Sequence, residues 1–223
     1  MNNLVKFLAV PFLGLVVATQ TALADEREYE LPSFDRVDIS TGIVLVANVG
    51  DRQKVIAYSD SDDFSQLRIE VEDGELNVSR EWSKLRWRKT KKSNYKVVVS
   101  VPDIRSVEAS SGSQAKIKNV SAPRMLIDLS SGASAELTGL CDECIVDLSS
   151  GANLDAKELV CDEARIDVSS GGHGVISVIN SLVADASSGG HVSVYGNPSR
   201  VNVDKSSGGR IKIKSGSPQA NND

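Results

Sequence analysis

The stretch Ile127-Asp128-Leu129-Ser130-Ser131-Gly132-Ala133-Ser134-Ala135-Glu136-Leu137 decides the fold, because the chain repeats it. Ser-Ser-Gly begins at Ser110, Ser130, Ser149, Ser169, Ser187 and Ser206, at spacings of 20, 19, 20, 18 and 19 residues. Ser40-Thr41-Gly42 is a seventh, diverged copy. An acid stands two residues before every triplet: Asp38, Glu108, Asp128, Asp147, Asp167, Asp185 and Asp204. The positions on either side of that acid are apolar, as in Val107 and Ala109 or Ile166 and Val168, in every copy but the last, where Lys205 follows Asp204. Five residues after each Gly stand Ile117, Leu137, Ala156, Ile176, Val194 and Ile213. Alternation with period two around a fixed turn signal marks strands, not helices. A strand repeat of this length is one coil of a narrow solenoid, each coil stacking on the last at about 4.8 Å. The expected fold is all-β: a single-stranded parallel β-helix (β-solenoid) with coils of 18–20 residues and right-handed winding. At the corners the second Ser is expected to face inward, its hydroxyl bonding along the stack, while the Gly allows the bend.

Composition agrees. Of 223 residues 40% are hydrophobic but only 4% aromatic, which suits a thin core of Val, Ile, Leu and Ala. With 25% charged residues the chain is not a low-hydrophobicity disordered polymer, and collagen, coiled-coil and multi-span membrane patterns are missing.

Outside the repeats the sequence divides simply. Lys6, the apolar run Phe7 to Ala18 and Ala22-Leu23-Ala24 read as a secretory signal peptide over 1–24, with a mature start at Asp25. The run is shorter than the roughly 20 residues that span a bilayer, and no later segment is long and apolar enough. Residues 25–216 read as one solenoid domain: an irregular part over 30–101 and regular coils over 102–216. Asp73-Gly74 between two strand patterns signals a hairpin in the irregular part. That part would serve as the cap a repeat stack needs, and Lys205, Arg210, Lys212 and Lys214 would make the last coil polar. Residues 217–223 read as a frayed tail. The expected location is exported, in a periplasm, secreted or at the cell surface.

Charge is unevenly placed. The net charge is −5, yet Arg80 to Lys96 holds eight basic residues and one acid. The rest is acidic, which argues against a nucleic-acid partner. Within that segment Trp82, Lys84, Arg86, Trp87, Arg88, Lys89, Lys91 and Lys92 form a candidate binding surface. Indoles would meet an interface while cations meet phosphate or an anionic polysaccharide. The alternative is a solvated connector whose Trp residues pack on the body.

Three further constellations invite chemistry. Stacked carboxylates repel and need cations, hydrogen bonds or calcium to offset them; the known calcium nonapeptide repeat is absent. His173 and His191 fall in one outward column on consecutive coils, with Gln114, Ser134, Asn153 and Arg210. They would hold zinc or copper if a carboxylate completed the set, and otherwise form a polar stripe. Cys141 and Cys161 share a column on adjacent coils, within disulfide reach. Cys144 falls in an apolar column. Buried free thiols, a Cys141–Cys161 bridge, and a redox or metal site all remain open. No catalytic constellation emerges, and no cofactor is expected.

Phe34-Asp35-Arg36-Val37-Asp38-Ile39-Ser40-Thr41-Gly42-Ile43, then Val101-Pro102-Asp103-Ile104, then repeated Ser-Ser-Gly coils, resemble the bacterial head GIN-domain family of auto-transporter adhesin heads. The resemblance covers about 30–215. It implies a β-solenoid, export, a role in adhesion or at the surface, and no catalytic residues. The expected function is an exported, non-catalytic, adhesin-like binding or structural module acting on envelope polysaccharide or an anionic membrane surface, with homo-oligomers allowed. A carbohydrate-active enzyme using paired outward carboxylates is one alternative. A periplasmic metal-binding protein is another.

Overall fold

The computed structural model describes residues 25–50, 52–61, 63–81 and 93–216. Among these there is no helix, and hence none long and apolar enough to cross a membrane. The N-terminal part contains β1 (Asp25–Tyr29), β2 (Arg36–Ile39), β3 (Val44–Val49), β4 (Lys54–Ser59), β5 (Leu67–Glu72), β6 (Glu75–Arg80), β7 (Tyr95–Val101) and β8 (Ser106–Ala109). The regular part contains β9 (Gln114–Leu129), β10 (Ser134–Leu148), β11 (Asn153–Val168), β12 (His173–Ala186), β13 (His191–Tyr195), β14 (Arg200–Lys205) and β15 (Arg210–Lys214).

Strands β9 to β12 stack in parallel. Each bends once along its length, so it contributes to two walls. The first half of β12 pairs with β13 and its second half with β14, which separates the walls. Alternate residues point between the walls: Ile117, Leu137, Ala156, Ile176 and Val194 from one, and Ile127, Val146, Ile166 and Ala184 from the other, all buried. Each buried Val, Leu or Ile contributes roughly 1.5–3 kcal/mol relative to exposure. The space beside Gly174 is filled from the facing coil by Leu148. A Cβ on Gly174 would lie 2.7 Å from Leu148 Cδ1.

The Ser-Ser-Gly corners are tight turns of type I′. In the first regular copy Ser111 has φ 53° and Gly112 φ 71°, and the Ser113 N–H donates to the Ser110 carbonyl at 3.1 Å. Every copy, including Thr41-Gly42, has these two consecutive positive φ angles. The geometry corrects one expectation. With its backbone left-handed, the second Ser (Ser111, Ser131, Ser150, Ser170, Ser188, Ser207) points to solvent. The corners are tied by backbone instead. Gly112, Gly132, Gly151, Gly171 and Gly189 donate their N–H to the carbonyl of the second Ser one coil on, at 3.1–3.2 Å. The residue after each triplet is the buried one, and it shrinks along the stack: Ser113, Ala133, Ala152, Gly172, Gly190. A Cβ on Gly190 would lie 2.5 Å from the Val168 carbonyl oxygen.

The N-terminal part does not follow sequence order. β2 lies between β6 and β8, and β3 between β7 and β9. The coil made first in sequence is therefore second in the stack, and the β6–β7 coil lies outside it. Antiparallel strands finish this end: β4 on β7, β1 on β4, and β5 folded back on β6 by the Asp73-Gly74 turn. Phe34, Phe64 and Tyr95 are buried here, with the Arg27 guanidinium 4.8 Å from the Phe64 ring centre. The far end differs from expectation. The outward side chains of β15 are basic, but the inward Val201 and Ile213 remain 46% and 42% exposed, so no cap covers them among the described residues.

Candidate functional site

The acidic positions form one continuous column. Asp38, Glu108, Asp128, Asp147, Asp167, Asp185 and Asp204 are successive register partners, with Asn77 following Asp38 at the capped end. Burial, and after it mutual repulsion, leaves its mark. Partial burial, then Asp128 and Asp167, raise the Asp147 carboxyl above its ordinary value. Burial, then Glu75 and Asp128, do the same for Asp38. For Glu108 the causes are burial, then Glu75, Asp38 and Asp128, partly opposed by Arg36. Carboxylates of Asp38, Glu75 and Glu108 lie within 4.8 Å of one another. Arg36 meets Glu75 at 3.4 Å and is the cation that offsets this cluster.

His173 and His191 are register partners whose rings stack 5.3 Å apart at an interplanar angle of 9°. Asn153 and Arg210 are the next partners on either side. Neither histidine belongs to a cluster of three ligating groups among the described residues. The required carboxylate is replaced by a guanidinium in the column.

Cys141 and Cys161, also register partners, are joined as a disulfide with Cα atoms 4.5 Å apart. Cys144 is a buried free thiol, pushed up to about 12 mainly by burial and then by Glu143. All three sulfurs lie within 4.8 Å of one another. Thiolate is the reactive and ligating form, so Cys144 is a poor nucleophile and a poor ligand where it sits.

The residues Trp82, Lys84, Arg86, Trp87, Arg88, Lys89, Lys91 and Lys92 lie outside the described residues. Their flanks are placed. The Arg80 N–H donates to Thr41 Oγ1 at 2.7 Å, the Glu81 N–H donates to the Gln66 carbonyl at 2.8 Å, and the Arg80 guanidinium donates to the Ser93 carbonyl. Arg68 pairs with Glu81. The segment thus leaves and re-enters the fold between β6 and β7, next to the Ser40-Thr41-Gly42 corner.

A feature missed from sequence lies at the bends opposite the corners. Register shifts interrupt the pairing there, between Glu136 and Thr138 and between Ala156 and Val160. Bulges of this kind re-aim side chains. Further along these strands lies a concavity of about 550 Å³ lined by Asp142, Glu143, Asp162, Glu163, Asn180, Ser199 and Arg200. A second of about 420 Å³ adjoins it, with Pro123, Leu140, Val160 and Ile179. The only hint in sequence was the duplication Cys141-Asp142-Glu143 and Cys161-Asp162-Glu163.

The described residues thus form an all-β solenoid whose outward columns carry carboxylates and a stacked histidine pair. The chain belongs to the family described as "Putative auto-transporter adhesin, head GIN domain", whose model matches residues 33–198. No curated protein sequence matches it. Solved structures share the fold, among them the following two. A "putative adhesin" from Bacteroides fragilis is 17% identical with a TM-score of 0.67, the match covering 87% of this chain and 98% of that one. A "Putative lipid binding protein" from Parabacteroides distasonis is 16% identical with a TM-score of 0.52, covering 87% and 98%. The family supports a cell-surface or exported, non-catalytic protein; it lends nothing to the enzymatic or metal-binding alternatives.

Proposed function

We propose that the chain is an exported adhesin-like module that holds anionic envelope material, polysaccharide or membrane, through the segment 80–96. The observation that carries this reading is the contrast between the body and the segment. The body presents an unbroken carboxylate column along one wall, which repels polyanions. Residues 82–92 hold six cations, two Trp and no acid. Their flanks are anchored at the edge of the fold by Arg80, Glu81 and Ser93. Export rests on the leader pattern at 1–24 and on the family. The test is a pull-down of the exported chain with isolated cell envelope across a salt gradient, with and without chelator. Salt-sensitive retention, lost when Trp82, Trp87 and the cations from Lys84 to Lys92 are replaced, is the expected result. Retention that survives those replacements moves the site to the concavity at Asp142 and Asp162. Retention that a chelator abolishes moves it to the acidic or histidine columns.

A further inference from the structure

The two ends of the solenoid are unlike, and they are complementary. We propose that the open C-terminal end docks on the N-terminal end of a second copy of this chain, so that copies stack head to tail along the solenoid axis. This goes beyond the binding role and does not depend on it.

At the C-terminal end the free edges are β15 on one wall and β14 on the other. The inward side chains of this coil, Val201 and Ile213, would be covered by a further coil but are 46% and 42% exposed. Outward, β15 presents Arg210, Lys212 and Lys214, all exposed, while β14 presents Arg200, which pairs with Glu163 at 2.8 Å, then Asn202 and Asp204. At the N-terminal end the free edges are β1 and β5. Glu26 and Glu28 of β1 share the outward side with Tyr58 and Ile56, their register partners. Glu28 meets Lys54 at 3.3 Å, already forming the carboxylate–amine contact that a neighbouring lysine row would extend. On β5 the outward side carries Arg68, Glu70 and Glu72, and the inward side carries Leu67, Ile69 and Val71, which are only partly buried.

Translating one copy along the axis sets β15 beside β1 of the next copy and β14 beside its β5. β1 runs parallel to β7, because both are antiparallel to β4, so the first pair is parallel. β5 is antiparallel to β6, so the second pair is antiparallel. A basic row then faces a glutamate row, and Val201 faces the row Leu67, Ile69 and Val71. The competing arrangement, two C-terminal ends together, opposes Arg210, Lys212 and Lys214 to their own copies, and like charges directly opposite are destabilising. Lysines on an edge strand ordinarily discourage pairing; here the other end of the same molecule supplies their counter-charges. The residues 217–223 offer Pro218 and Ala220 as their only apolar side chains, too little to fill the end. A contact between different surfaces that does not close on itself builds open chains.

The test is sedimentation velocity of the exported full chain over a concentration series at low and high salt, with far-UV circular dichroism to verify folding. The native chain is expected to form species of twice the monomer mass and above, weakened by salt. Val201→Lys with Ile213→Lys blocks one end, and Glu26→Lys with Glu28→Lys blocks the other. Each double variant alone is expected to stay monomeric, and their mixture to give a one-to-one dimer and nothing larger. A native chain that remains monomeric at every concentration overturns the proposal. So does self-association of the Glu26/Glu28 variant at native strength, which would mean that C-terminal ends meet each other. Association that appears only after deletion of 217–223 would mean that the tail covers the end, and overturns it too.

Discussion

Ser131 is a residue held where an L side chain is rarely found: φ is 52°, and it is followed by Gly132 at 73°. Asn and Asp tolerate this region better than Ser, and Asn-Gly is the preferred type I′ pair. Ser131→Asn should therefore raise stability by about 0.5–1 kcal/mol, a shift of roughly 1–4 °C in a domain of this size, read from a thermal melt. Gly190→Ala should do the reverse by about 1–3 kcal/mol, since its Cβ would press on the Val168 backbone. Ala133→Gly, one column member where a Cβ fits, should cost less. The carboxylate column gives a pH signature. A raised carboxyl pKa in the folded state means that the folded chain holds its proton more tightly than the unfolded one. Its cost is present above the folded value and is relieved as pH falls through it. Asp147→Asn should raise the melting temperature at neutral pH, and the gain should shrink towards about pH 4, the ordinary aspartate range. An equal gain at both values would contradict a carboxyl raised by burial and by its neighbours.

At the scale of the element, the coils and the places of their turns were legible, while the direction of the turn side chains was not. The Ser-Ser-Gly spacing and its apolar columns specified which residues stack, because a one-residue slip would turn every Ile and Val outward. The same alternation misplaced the second Ser. Two consecutive left-handed residues break the in-out pattern, so Ser131 emerges and Ala133 becomes the buried position. The bulged bends at Glu136 to Thr138 and Ala156 to Val160 carry no distinctive residue pattern and were missed, as was the concavity at Asp142 and Asp162 further along these strands. The Cys141–Cys161 bridge binds two adjacent coils at the rim of that region. It closes a loop of 20 residues, for which chain entropy gives about 3 kcal/mol. Replacing both cysteines with Ser should lower the melting temperature by roughly 6–12 °C. Cys144→Ala should leave the bridge intact, and alkylating reagents should not reach Cys144 in the native fold; rapid native-state labelling would refute its burial.

Across the whole molecule, the order of the coils was hidden from sequence. Ser40-Thr41-Gly42 is recognisable as a corner, but 70 residues separate its start from that of the next copy at Ser110. Within that interval the chain leaves the stack, runs back antiparallel through β4, and builds the outer β6–β7 coil before returning. Strand pairing across such distances has no local sequence mark. The functional contrast was legible, because charge is a property of composition: an acidic column on one wall and a cationic segment between Arg80 and Ser93.

The most direct measurement of that contrast is an equilibrium isotherm of the exported chain on a purified anionic polysaccharide, repeated across salt concentrations. It should be paired with a variant in which Lys84, Arg86, Arg88, Lys89, Lys91 and Lys92 are replaced by Ser. The account predicts native affinity that falls steeply as salt screens the cations, and a variant whose affinity is at least about tenfold weaker, a loss of 1.4 kcal/mol or more, with little remaining salt dependence. Equal affinities for the two chains, or native binding indifferent to salt, would contradict it.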